Sequence, residues 1–167
     1  TNLADAYLRT GQFEKAAAEA REGVRLNPNS AVGYLNLGQA FIGLGRFGEA
    51  KEVFAQALQQ NLDATLFHSF LYQVGFVGGD SAAMQKQVDW ARGKPDEYVS
   101  LDWQTQTAAF LGQWRRAQDF SRSGVEMATR SDTKEVAAQY LVEAALRGAV
   151  FGQCSQTKAA TSQAAGL

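Results

Sequence analysis

Apolar and polar residues alternate along most of this chain with the period of a helix. In "YLNLGQAFIGLGRFGEAKEVFAQALQQN", residues 34–61, Leu35, Leu37, Phe41 and Ile42 supply the apolar faces of one segment, and Ala50, Phe54, Ala57 and Leu58 form one stripe of a second. Spacings of three and four residues place side chains on a common helix face. Gly45 separates the two segments, and glycine just past a helix end adopts the left-handed backbone without a Cβ clash. Ser30, following Pro28 and Asn29, stands where an N-cap is expected. The pattern predicts a helix over about 30–44, a tight turn, and a second helix over about 48–60. The same reading predicts helices over about 1–10, 14–26, 64–76, 81–92, 98–110, 115–130, 133–149 and 154–165.

The pattern repeats. "GQFEKAAAEAREGVRLNP" begins at Gly11 and "GRFGEAKEVFAQALQQNL" at Gly45, which aligns Phe13 with Phe47, Ala16 with Ala50 and Val24 with Leu58. Continuing the frame reaches Gly79, Gly112 and Gly152, at successive spacings of 34, 34, 33 and 40 residues. A near-constant period of this length marks stacked supersecondary units, because a single helical hairpin cannot bury both faces of its helices and a stack can. Small residues belong where helices cross: Gly38 and Ala50 permit the close approach of two helix axes, and Phe47 and Phe54 fill the space between layers. Gly38 costs about 1 kcal/mol in helix propensity against alanine, so closer packing is the expected return.

On these residues the chain resembles the tetratricopeptide repeat family. The second unit carries the resemblance best, with Tyr34, Leu37, Gly38, Phe41, Gly45, Phe47, Ala50, Phe54, Ala57 and Leu58 in register. The first keeps Leu3, Tyr7, Gly11, Phe13, Ala16, Ala20 and Pro28. Later units depart from the pattern: Gly75 stands in place of a tyrosine, Ser81 in place of an aromatic, and Thr105 at a small-residue slot. The resemblance implies an all-α fold, a right-handed α-solenoid of stacked antiparallel helix pairs, forming a single repeat domain with units at 1–29, 30–63, 64–97, 98–132 and 133–167. Its degenerate style is similar to repeat regions attached to large bacterial signalling proteins. The chain begins inside a running pattern and reads as a segment of something longer, with a cytoplasmic setting expected.

The family resemblance further implies a non-catalytic protein–protein interaction scaffold. In the family, the first helix of each pair lines a concave face that holds a peptide or a partner helix. Carried over residue by residue, the lining positions are Asp5, Leu8 and Arg9 in the first unit, and Leu35, Asn36, Gln39 and Ile42 in the second. The third contributes Leu66, Ser69, Phe70, Gln73 and Phe76, and the fourth Asp102, Gln106 and Ala109. Asn36, Gln39, Leu66, Phe70, Gln73 and Phe76 form the candidate groove. Leu66 and Phe70 occupy slots where chaperone-binding members carry basic residues for a terminal carboxylate, so recognition through apolar and amide contacts is expected. The alternative is a structural spacer or dimerisation module inside a larger regulatory protein.

Composition narrows the function classes. The formal net charge of −1 offers no electrostatic case for nucleic acid or anionic lipid, and no apolar run approaches the length of a membrane span. No cofactor is expected, and the oligomeric state is left open. His68 is the single histidine, without a second imidazole or a cysteine cluster to complete a metal site, and reads as a packing or surface residue. Cys154, the single cysteine, stands where the family places a turn-flanking aromatic and reads as buried and inert. "GFVGGD", residues 75–80, is glycine-rich but lacks the Lys-Ser/Thr pair of a phosphate loop. Asp80, and Ser131 or Asp132, read as helix starts, and Arg115, Arg116 and Arg122 near Trp114 as a solvated face.

Overall fold

In the computed structural model the described residues are 2–166; the side chains of Asn2, Cys154, Ser155 and Gln156 lie outside them, and with them the expectation for Cys154. Among the described residues there are ten α-helices and no strand. They are α1 (Asn2–Arg9), α2 (Phe13–Leu26), α3 (Ala31–Gly43), α4 (Phe47–Gln59), α5 (Thr65–Val77), α6 (Ser81–Ala91), α7 (Tyr98–Phe110), α8 (Trp114–Arg130), α9 (Lys134–Val150) and α10 (Cys154–Ala164). The protein is an all-α solenoid of antiparallel helix pairs. None of its described helices is long and apolar enough to cross a membrane. The chain divides into two compact units, Thr1–Gln87 and Val88–Leu167.

In the first unit, α3 lies between α2 and α4, with α1 and α5 beside it. Being enclosed on several sides, it buries Gly33, Tyr34, Asn36, Leu37, Gly38, Ala40 and Phe41, far more than one stripe. The neighbouring second helices bury narrower alanine-rich faces: Ala16, Ala17 and Ala20 on α2, and Ala50, Val53, Phe54 and Ala57 on α4. Small side chains on these stripes let the axes close in, and the large aromatics then fill what is left. Phe54 is the centre of that filling, stacked on Phe70 at 5.9 Å between centroids and tilted against Phe67 at 5.5 Å. Tyr34 is fully buried, and its hydroxyl accepts a 2.8 Å hydrogen bond from Gln60 Nε2, tying the start of α3 to the end of α4.

The second unit stacks α7 on α8, α8 on α9 and α9 on α10. Its core gathers Val125, Ala128, Ala137, Tyr140 and Leu141, with Tyr98, Val136, Ala160 and Ala164 packed around them. Trp114 lies against Phe151, with ring centroids 4.8 Å apart.

The helix ends explain the period. Gly45 has φ +70°, its N–H donates to the Ile42 carbonyl at 3.0 Å, and the Arg46 N–H reaches back to Phe41 at 2.8 Å. This paired closure satisfies carbonyls that the helix end would leave open. The caps at the other ends differ from expectation. Ser30 holds the N-cap position in extended backbone but makes no side-chain cap bond. At α9 the N-cap is Thr133, whose hydroxyl turns back to the Ala128 carbonyl at 2.9 Å, while Asp132 takes a left-handed φ of 56°. Asp80 does cap α6, accepting the Ala83 N–H at 2.9 Å.

Candidate functional site

The first unit carries a cavity of about 370 Å³ lined by Asp5, Leu8 and Arg9 of α1, Phe13 of α2, Gln39 and Ile42 of α3, and Phe70 of α5. Three first helices therefore meet at one depression. The helix period explains the selection: Gln39 and Ile42 are one turn apart on α3, and Asp5, Leu8 and Arg9 share a face of α1. Leu8, Phe13, Ile42 and Phe70 form apolar walls. The rim is polar, with Gln39 half-buried and Asp5 paired to Arg9 through a 3.0 Å bond between exposed side chains.

The six groove candidates distribute unevenly. Gln39 and Phe70 line the cavity. Phe70 is half-buried, one ring face held by Phe54. Leu66 is exposed, Phe76 half-buried, and Gln73 exposed with a long 3.5 Å bond to Ser69 Oγ. Asn36 is buried at 5% exposure. Phe13 also lines the cavity, although the sequence reading gave it only a repeat-register role. The signal for it was its partner: a Cβ at Gly43 would come within 2.5 Å of the Phe13 ring, so the aromatic just after one turn covers the glycine at the end of the next first helix.

His68 is a packing residue at 5% exposure. Its Nδ1 lies 2.7 Å from Gln87 Oε1 and its Nε2 lies 2.9 Å from Asp63 Oδ1. Gln87 is itself buried and donates to the Ala83 carbonyl at 3.3 Å. This link joins α5 to α6 and to the turn before α5. Among the described residues, no group of three or more His, Cys, Asp or Glu side chains is placed to hold a metal ion.

In the second unit, Arg116 and Arg122 are exposed, Arg116 reaching the Gln113 amide oxygen at 3.1 Å and Arg122 pairing with Asp119 at 2.7 Å. Arg115 is exposed as well. A second cavity of about 490 Å³ lies among α8, α9 and α10, with Trp114, Val125 and Leu141 among its apolar walls and Arg147 at its edge.

This architecture defines a class: helical scaffolds built from repeated antiparallel pairs. Residues 1–64 and 35–83 each match the tetratricopeptide repeat family model, with starts one 34-residue period apart. The chain belongs to the tetratricopeptide repeat family, whose fold serves protein–protein interaction. Two solved structures share the fold. The crystal structure of MamA superposes with a TM-score of 0.59 at 13% identity, covering 98% of this chain and 93% of that one. The structure of PilW, a widely conserved type IV pilus biogenesis factor, gives a TM-score of 0.60 at 16% identity, covering 98% and 89%. No curated protein matches the chain in sequence.

Proposed function

We propose that the first-helix face of the N-terminal unit binds a segment of a partner protein, and that the cavity between α1, α3 and α5 seats one apolar side chain of that segment. The observation behind this reading is the cavity itself: apolar walls from Leu8, Phe13, Ile42 and Phe70 beneath a polar rim that includes Gln39. A concave site with a few polar groups around an apolar floor is the usual form of a recognition pocket. Exposed Leu66 and Gln73, with half-buried Phe76, all on α5, are taken to extend the groove along the segment's path. Binding is expected to depend weakly on salt, since the charges at the cavity, Asp5 and Arg9, already pair with each other. The five helix pairs are taken as the repeat units, with bounds 1–29, 30–63, 64–97, 98–132 and 133–167.

The test is capture of partners from the native cell extract by the chain and by a Gln39→Trp variant, whose indole would block the cavity mouth. Loss of specific partners by the variant supports the reading. Equal recovery by both proteins moves binding off this face and favours the spacer or dimerisation reading. One observation speaks for that second reading: Val142, Leu146 and Val150 form an exposed apolar row along α9, at 48%, 63% and 84% exposure. A chain that self-associates, and becomes monomeric on Leu146→Glu, would support it.

A further inference from the structure

The cavity among α8, α9 and α10 has its origin in the repeat register. Gly45 and Gly112 both take a left-handed φ, +70° and +71°, and α4 and α8 each begin two residues later, at Phe47 and Trp114. Ser121 of α8 therefore stands where α4 carries Phe54. Gly79 and Gly152 correspond in the same way, with φ +67° and +72°, and α5 and α9 each end two residues before them, at Val77 and Val150. Arg147 of α9 therefore stands where α5 carries Val74. Phe54 and Val74 are core side chains, buried to 0% and 2% exposure. Their counterparts bring a hydroxyl and a guanidinium to the same register positions. A serine does not fill the room of a phenyl ring, and Ser121 and Arg147 both line the cavity of about 490 Å³.

The chemistry of this cavity is divided. Val125 and Leu141 are buried side chains of its wall, and Trp114 adds an aromatic face whose ring is held by Phe151. Arg147 is the polar exception, with only 18% of its side chain exposed. Among the described residues its guanidinium reaches Glu143 Oε2 at 3.4 Å and Ser121 Oγ at 3.5 Å, both long for a charged donor. Glu143 turns its other oxygen to Gln139 Nε2 at 2.9 Å. A guanidinium carries five N–H donors in a planar fork, so most of that capacity is left for a guest. Arg122, the other cation of the lining, is exposed and holds Asp119 at 2.7 Å, and Glu126 is an exposed carboxylate of the same lining.

We propose that this cavity binds a small organic monocarboxylate, its carboxylate on Arg147 and its apolar body against Trp114, Val125 and Leu141. The volume lies within the roughly 300–1,000 Å³ of small-molecule sites, and apolar walls around one well-placed charged group are their usual composition. The guanidinium fork matches a planar carboxylate through two parallel bonds. A single under-used cation offers one positive charge, and Glu143 and Glu126 nearby oppose a second negative charge on the guest, so a phosphate monoester fits less well. The site shares no residue with the cavity of the first unit, so either reading can fail without the other.

The experiment titrates the whole chain with 4-phenylbutyrate and, separately, with 4-phenylbutanamide, its uncharged counterpart. In ¹H–¹⁵N spectra the Trp114 indole N–H should shift saturably with the acid, while the Leu37 amide of α3 stays in place. The amide should bind about tenfold more weakly or worse, since it lacks the charge-assisted bonds. Arg147→Gln should erase that difference by weakening the acid alone. Ser121→Phe, which returns to this position the ring that α4 carries, should abolish binding of both, and it carries the test if Arg147→Gln fails to fold. Equal affinity for acid and amide in wild type, unchanged binding of the acid to Arg147→Gln, or no Trp114 shift with either compound would overturn the site. Tighter binding of phenethyl phosphate than of the acid would overturn the choice of a monocarboxylate.

Discussion

The ring of Phe54 occupies the space into which a Cβ on Gly38 would project. Phe54 is fully buried and cannot easily withdraw, with Phe67 and Phe70 packed around it. Gly38 is thus a vacancy in α3 shaped for an aromatic of α4. Gly38→Ala should destabilise the chain by about 1–3 kcal/mol, because overpacking outweighs the roughly 1 kcal/mol gained in helix propensity. A urea midpoint at or above that of wild type would contradict this account. Phe54→Leu in the same chain should recover part of the loss, so a double-mutant cycle reads the contact itself.

Gly23 makes the opposite case. It lies inside α2, and a Cβ there would meet nothing within 4 Å. Gly23→Ala should stabilise by about 0.5–1 kcal/mol through the entropy of the unfolded chain. Thermal melts of the two glycine variants, run together, should move in opposite directions.

His68 holds Gln87 of α6 and Asp63 of the turn before α5 through its two ring nitrogens. His68→Leu preserves bulk but takes a partner from the buried Gln87 amide, with an expected loss of about 1–3 kcal/mol. Coupling should show in Gln87→Leu, which costs less when introduced into the His68→Leu background than into wild type. Additive losses would mean that the two side chains act independently.

Much of the fold was legible in the residue order. Helix bounds follow the apolar period to within one or two residues, and Gly45 ends α3 as its position indicated. These are local matters: one glycine's tolerance of positive φ, and the face a stripe must bury. The caps were less legible. Ser30 had the right residue type and place, yet capping depends on a side-chain torsion that neighbouring contacts select. The candidate groove was legible in part. Family register brought Gln39 and Phe70 to the cavity, but it did not show that Asn36 would be enclosed by the helices around α3.

By itself, the sequence determined that this protein is a series of helix pairs, because periodicity and small-residue spacing are properties of neighbours along the chain. It also determined which residues could sit at crossings, since only glycine or alanine admits a ring or an axis so close. Tertiary structure alone decided which ring meets which glycine, Phe54 at Gly38 and Phe13 at Gly43. It alone brought His68 to Gln87. Nothing in the period distinguishes a polar side chain bound for water from one bound for another helix. That choice is made when packing removes the water and leaves the two groups to satisfy each other.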